Sequence, residues 1–444
     1  MKRLLLVLAL LTVTACTGES KLPVPTGKGT VRAINAISAS PLVVFRIEER
    51  TLSTLSYKRS SVGERWDDLE YSFNFDVLFL GDTEQTRVVS QLQKVGADKD
   101  YTFVLGGTID NPTVTTWVGD EREWDGSETV FEVRFAHTAI SLGAIDVFFA
   151  PAGTAPAIGE QRGTLNFGEI LAPIDIESGD YVLTVTPSGI PTTVLYQSEE
   201  LIYSAQTALI VPFYDGDETD TGSLVAQRII SNGGAFQLPD AGALPTVRFI
   251  QASLDLPNSD VYDDALLTNL VLANHAYGDV TGDRQLAAGL TSYTYTTVGD
   301  TSAVLFEGNI NTNLGIHYNF LVLGEQGDRI AQVIVPDRRS VSSSARISSI
   351  HAASNHAALD FYVVDAGTPI DDESPRLNSL PFALLAPTLS FLVGSYDLYL
   401  TTPREKTIIA GPVPLDLVLG DVAEVIFFDT VDPATAEIRV LPNP

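Results

Sequence analysis

An all-β protein of four tandem immunoglobulin-like antiparallel β-sandwich domains, following a lipoprotein signal peptide, is expected from three observations. Apolar runs of four to eight residues, rich in Val, Ile, Thr, Tyr and Phe, are broken by Gly, Pro, Asn and Asp every eight to twelve residues. That is the pattern of antiparallel strands with one buried face. One order of elements recurs at roughly one hundred residues, the size of a single sandwich. Finally, 45% apolar residues in a 444-residue chain suffice for several cores.

The elements run as follows. Lys2 and Arg3 precede an apolar run, Leu4 to Leu11, too short to cross a bilayer, and Val13-Thr14-Ala15-Cys16 reads as a lipobox. Cys16 is the only cysteine in the chain. Cleavage after residue 15 would leave its thiol to carry diacylglycerol, and Thr17, in place of Asp, fits the default route to the outer membrane. Residues 16–28, with Gly18, Pro23, Pro25 and Gly27, then form a lipidated tether. Its twelve residues after Cys16 reach at most about 40 Å, which keeps the first domain near the membrane.

Four copies follow, at 29–121, 128–240, 245–338 and 344–444, separated by polar or Pro/Gly-rich segments. Each opens on a strand with a central Arg, namely Arg32, Arg134, Arg248 and Arg346, spaced by 102, 114 and 98 residues. The strand ends on Asn35, His137, Gln251 or His351. An apolar run with a central Asp comes next in the last three copies, at Asp146, Asp260 and Asp360. An aromatic-Gly turn appears as Phe167-Gly168 and Tyr277-Gly278 and degenerates to Pro381-Phe382. Strands opening on Tyr181, Tyr293 and Tyr396 follow, and each copy closes on a strongly apolar run such as Ala208 to Phe213. The first copy is the most divergent. Each copy is expected to own a core and to fold alone. Helical spacing is not sustained outside the signal peptide and the stretch 263–274.

The order Val-Arg, His-Ala, Asp-Val-aromatic, Phe-Gly, Gly-x-Tyr-x-Leu-x-Val resembles the DUF4397 family of bacterial surface domains. The second copy matches best, through Arg134, His137, Asp146, Phe167-Gly168, Gly179 and Tyr181, and the fourth keeps Arg346, His351, Asp360 and Tyr396. The resemblance implies a sandwich fold and a cell-surface setting; it brings no activity with it.

Charge narrows the partners. Without residues 1–15 the chain holds 25 basic against 56 acidic residues, a net of −31. No basic face is present for nucleic acid. With Cys16 acylated, no thiol remains for disulfides, nucleophilic chemistry or a soft metal.

His137 and His351 share one strand position with Asn35 and Gln251, so backbone hydrogen bonding, which all four side chains can supply, is their expected role. The four Arg are expected on the outer face of the first strand, paired with the Asp146, Asp260 or Asp360 type of residue. Asp215-Gly216-Asp217-Glu218-Thr219-Asp220 is the best candidate cation site, ahead of Asp371-Asp372-Glu373 and Asp279 to Asp283: Asp215, Asp217 and Asp220 could offer hard oxygens to Ca²⁺, against the simpler reading of a solvated acidic turn. No other cofactor is implied. Trp124, between Glu123 and Asp125, is expected to pack between the first two copies, with stacking on a sugar ring as the second reading.

No nucleophile elbow, metalloprotease helix or phosphate-binding loop occurs. The expected function is therefore that of a non-catalytic, lipid-anchored protein of the outer membrane, facing the periplasm or the surface, its four sandwiches serving a structural, adhesive or ligand-binding role. A protein or polysaccharide is the expected ligand. The alternative is a secreted hydrolase or its accessory subunit, with a carbohydrate-binding or catalytic site in the first repeat.

Overall fold

The computed structural model describes residues 23–230 and 234–441. The signal peptide and Cys16 lie outside them. Among the described residues the regular structure is β-strand, apart from one 3₁₀ turn at Ile370–Asp372. The stretch 263–274 is not helical: Leu270–His275 is a strand, and the loop before it is wound around Asp264, whose carboxylate accepts the amides of Thr268 and Asn269.

Each copy is a two-sheet sandwich. One sheet is antiparallel, as in 50–55, 43–47, 70–77 and 86–94 of repeat 1. The other contains a parallel pair: the opening strand lies beside the closing apolar strand, Lys28–Asn35 with Lys99–Thr108, Val130–His137 with Ala208–Asp215, Thr246–Ala252 with His317–Leu323, and Ala345–His351 with Val422–Asp429. The expected antiparallel sandwiches are present, and this one parallel pair per repeat is the detail the sequence pattern did not indicate. Strands that read as unbroken apolar runs, such as Ala208 to Phe213, have both faces buried, which is what a parallel neighbour requires.

Burial of both faces has a second cause, the packing of repeats in pairs. Along Lys28–Asn35, Val31 and Ala33 enter the core of repeat 1, while Ile34 enters a cluster shared with Ile210, Tyr214 and Ile229 of repeat 2. Repeats 3 and 4 do the same: Val247 and Phe249 face inward, while Ile250 and Leu321 meet Ile350, Ile426 and Phe428. Each sandwich thus has one core of its own and shares another with its neighbour.

Repeats 1, 3 and 4 are entered and left at the same end. In repeat 1, Thr30 pairs with Asp100 and Lys99 with Asp120. Repeat 2 alone adds a strand, Ala235–Leu238, whose Leu238 pairs with Ala226 and carries the chain back to the far end. This return strand accounts for the longest Arg spacing, 114 residues, and starts repeat 3 at the far end of the first pair. There the hairpin 216–223 of repeat 2 meets repeat 3, with Thr221 N donating to Gly315 O at 3.1 Å, and loop 38–40 of repeat 1 meets the linker 336–344, with Ser342 N donating to Ala39 O at 2.9 Å. The two pairs are stacked, exit end of the second on far end of the first.

Candidate functional site

The side chains singled out by the repeat pattern gather in two places, the buried strand ends and the seams between repeats. At the strand ends, Asn35, Gln251, His137 and His351 all accept the amide two residues on, from Ile37, Ser253, Ala139 and Ala353 at 2.8 to 3.3 Å. The expected backbone role is what the geometry gives. Burial pushes the imidazoles of His137 and His351 toward the neutral form, His351 down to about 4.

The Arg–Asp pairing is corrected. Asp260 and Asp360 each bridge backbone on both sides of their strand, and Asp146 bridges Gly189 N on one side and the Thr164 hydroxyl on the other. Asp260 accepts Asn274 N and Gly299 N at 2.9 Å, and Asp360 accepts Ser379 N and Arg404 N. Asn274, Ser379 and Arg404 have positive φ, a backbone state such carboxylate bonds help to hold. The Arg residues turn instead to the seams. Arg32 is fully buried, pairs with Asp100 at 3.0 Å and donates to Ile230 O of repeat 2. Arg134 lies so close to Gly119 of repeat 1 that a Cβ there would stand 2.9 Å from its guanidinium. Arg248 reaches Glu424 of repeat 4 at 3.5 Å, and Arg346 is held by Asp337 and Arg339 O of the linker. A guanidinium is suited to this because it stays charged when half-desolvated.

The aromatic-Gly turn is a seam element as well. Tyr277 Oη donates to Asp429 O across the second pair at 2.6 Å, and Tyr57 Oη donates to Asp215 O across the first at 2.7 Å. Tyr57-Lys58 is therefore the turn's version in repeat 1, missed in the sequence because Lys58 replaces Gly; its φ of 61° matches the 80° of Gly278. Pair 3–4 repeats the plan of pair 1–2, and this accounts for His in repeats 2 and 4 but Asn or Gln in repeats 1 and 3.

The three carboxylates of the Ca²⁺ candidate do not converge. Asp215 accepts the amides of Ile140 and Ser141 and the hydroxyl of Ser141, a capping role that Asp429 repeats toward Ser354 and Asn355. Asp217 and Asp220 hold the ammonium of Lys58, which arrives from repeat 1. A lysine supplies the cation, and among the described residues no cluster of three His, Cys, Asp or Glu side chains is placed to hold a metal. Burial raises Asp217, but Lys58 and Thr219 outweigh it and hold the carboxyl below its usual range; Asp220 stays above its own, mainly through burial.

Of the tryptophans, Trp117 takes the inter-repeat position, 3% exposed and donating to Gly168 O at 3.1 Å. Trp66 is part of the first core's edge. Trp124 does not pack into the seam; it stays partly exposed in a cleft of about 410 Å³ where repeats 1 and 2 meet at their entry ends.

The second pair has the corresponding cleft, about 450 Å³, lined by Asp283, His317, Arg338, Ser340 and, from repeat 2, Glu218. Its charges are spent on one another. Arg338 clasps Asp283 through two hydrogen bonds of 2.6 and 3.0 Å, Glu218 accepts Ser340 N, and His317 bonds Thr246 Oγ1 and Asp220 O. Burial raises Asp283, yet Arg338 and Arg248 hold it below the usual range, while burial keeps Glu424 above it. No sequence motif announces this cluster, since its members lie on three repeats and a linker.

Among curated proteins none matches the chain. The solved structure of "The Bacillus anthracis TIE protein" is similar at 10% identity over 91% of this chain and 69% of that one, with a TM-score of 0.15, too low to bear on the fold. Residues 245–362, about a quarter of the chain, span repeat 3 and the opening strands of repeat 4; they match the model of DUF4397, a domain of unknown function, and identify a DUF4397 domain in this protein.

Proposed function

We propose that this is a non-catalytic, lipid-anchored protein of the bacterial outer membrane, in which two stacked pairs of sandwiches form a rigid ligand-presenting block. One observation carries the reading. Buried or half-buried ionisable side chains that could serve chemistry, His137, Asp215, Asp360 and Lys58 among them, are tied to backbone amides or to a partner across a seam. Groups committed in this way fix geometry and are poorly placed to exchange protons with a substrate.

The anchor rests on Val13-Thr14-Ala15-Cys16. Through it the entry end of repeat 1, with Lys28, would face the membrane and the far end of repeats 3 and 4 would point away. Cys16→Ser is expected to move the protein from the membrane to the soluble fraction without changing its melting temperature. Unchanged detergent partitioning of the variant would refute the anchor. The rival hydrolase reading keeps one foothold, the Trp124 cleft, and there as a binding surface.

A further inference from the structure

The two pairs present equivalent clefts at their entry ends, and they are finished differently. In the second pair the hairpin of repeat 2 covers the cleft: Asp220 bridges to Ile316, His317 Nε2 bonds Asp220 O, and Ser340 N bonds Glu218. By strand register Asp100 is the counterpart of His317, because Thr30 pairs with Asp100 as Thr246 pairs with His317. Counting from the paired residues Trp117 and Ile334, Glu123 takes the place of Ser340 and Trp124 that of Val341. The first cleft therefore lacks the groups that receive an acidic hairpin. The free hairpin 430–435, with Asp432, would meet Glu123 in a second copy of a chain already at −29, so like charges oppose self-docking.

What the first cleft has instead is a fixed aromatic wall. The guanidinium of Arg122 lies 3.9 Å from the Trp124 ring centroid, and Arg122 is itself pinned by Glu128 at 3.2 Å, Glu132 at 3.3 Å and Asp175. The indole is thus ordered before any ligand arrives, which lowers the entropy cost of binding. The cleft's lining holds two cations, Arg65 and Arg122, and two anions, Glu121 and Glu123, and the three carboxylates behind Arg122 leave the surroundings with an excess of negative charge. Gln206 and Thr30 line it too; the Gln206 amide nitrogen donates to Glu128 O and the Thr30 hydroxyl to Glu121, so their remaining acceptor positions are what they can offer a ligand. Its volume falls within the range of about 300–1,000 Å³ typical of ligand sites. The surplus carboxylates discourage anions, Arg122 already takes the cation position on the indole, and a planar ring beside hydrogen-bonding groups suits an uncharged molecule with an apolar C–H face and a rim of hydroxyls.

From this geometry we infer that repeats 1 and 2 together bind a neutral polyhydroxylated ligand, a glycan, with one sugar ring against Trp124. The inference deepens the ligand-presenting reading by naming the ligand class, and its test is independent of the anchor.

The full chain carrying Cys16→Ser is titrated by calorimetry and by tryptophan fluorescence with three uncharged hexasaccharides, cellohexaose, maltohexaose and chitohexaose, up to about 5 mM, enough to detect a Kd near 1 mM. At least one is expected to bind with a saturable fluorescence change. Trp124→Ala should weaken it at least tenfold while melting within two degrees of the parent, and Trp124→Phe, which keeps a planar face, should retain more affinity than Trp124→Ala. Absence of binding by all three sugars, binding that Trp124→Ala leaves unchanged, or a fluorescence change traced to self-association in sedimentation would overturn the inference. Loss of the anchor with sugar binding intact would refute only the proposed location.

Discussion

At position 351 an imidazole has no contact with water, and burial together with nearby His356 holds its pKa at about 4, against about 6.5 in an unfolded chain. Between those values the unfolded state binds the extra proton. This contribution to stability is therefore complete above about pH 6.5 and is lost as pH falls toward 4, with a slope approaching 1.4 kcal/mol per pH unit, roughly, for one proton. His351→Gln copies Gln251, whose carbonyl takes the same amide. It is expected to cost less than about 1.5 kcal/mol at pH 7 and to flatten the acid limb of the stability curve by about one proton, measured by urea unfolding from pH 4 to 7. Lys58 tests the opposite case, a buried charge with partners. Lys58→Met leaves Asp217 and Asp220 facing each other at low exposure and should destabilise the protein by about 3 kcal/mol; an unchanged unfolding midpoint would mean the ammonium is idle. Since Lys58 already fills the acidic hairpin, Ca²⁺ is expected to raise the melting temperature of the parent no more than Mg²⁺ at equal ionic strength.

Among the elements, the aromatic-Gly turn shows what can and cannot be read from sequence. Phe167-Gly168 and Tyr277-Gly278 are visible because only Gly takes positive φ cheaply; Lys58 and Ala383 take it at 61° and 62° and hide the same turn. Its purpose is invisible locally, since the acceptor of Tyr277 lies 152 residues away. Tyr277→Phe removes that seam bond and leaves Asp429 O without it, so a loss of about 1 kcal/mol is expected. A loss limited to the second pair's transition in calorimetry would confirm that the bond acts between repeats 3 and 4. The opening strands were similarly half-legible. Arg at a fixed place marks the strand; that it faces another domain follows only from unbroken burial on both faces, which composition shows as an apolar run and which has several causes. The long interval between Arg134 and Arg248 was the one clue in the sequence to a return strand, and its meaning required knowing at which end repeat 3 begins.

For the whole molecule, the shared clusters decide what can exist alone. Cutting out 128–241 exposes Ile210, Tyr214 and Ile229, all buried against repeat 1. At about 1.5–3 kcal/mol for each large apolar side chain, that is a large part of the 5–15 kcal/mol, roughly, that holds a domain together. Fragments 23–241 and 245–441 are expected to be monomeric and to melt cooperatively, whereas 128–241 and 340–444 should aggregate or dimerise through the bared sheet. Size-exclusion chromatography with light scattering distinguishes these outcomes, and well-behaved monomeric single repeats would show that the seams contribute little. The side-by-side entry and exit of repeats 1, 3 and 4 has a further effect. Among the described residues, strand-to-strand loops at the outermost tip, such as 325–328 and 430–435, form no backbone hydrogen bond with a linker. Lengthening them costs only the slow logarithm of loop closure, about 0.6 kcal/mol per doubling. The tip is therefore the part of this chain that can diverge in length and chemistry while the scaffold stays constant, much as an exchangeable tool fits an unchanging handle.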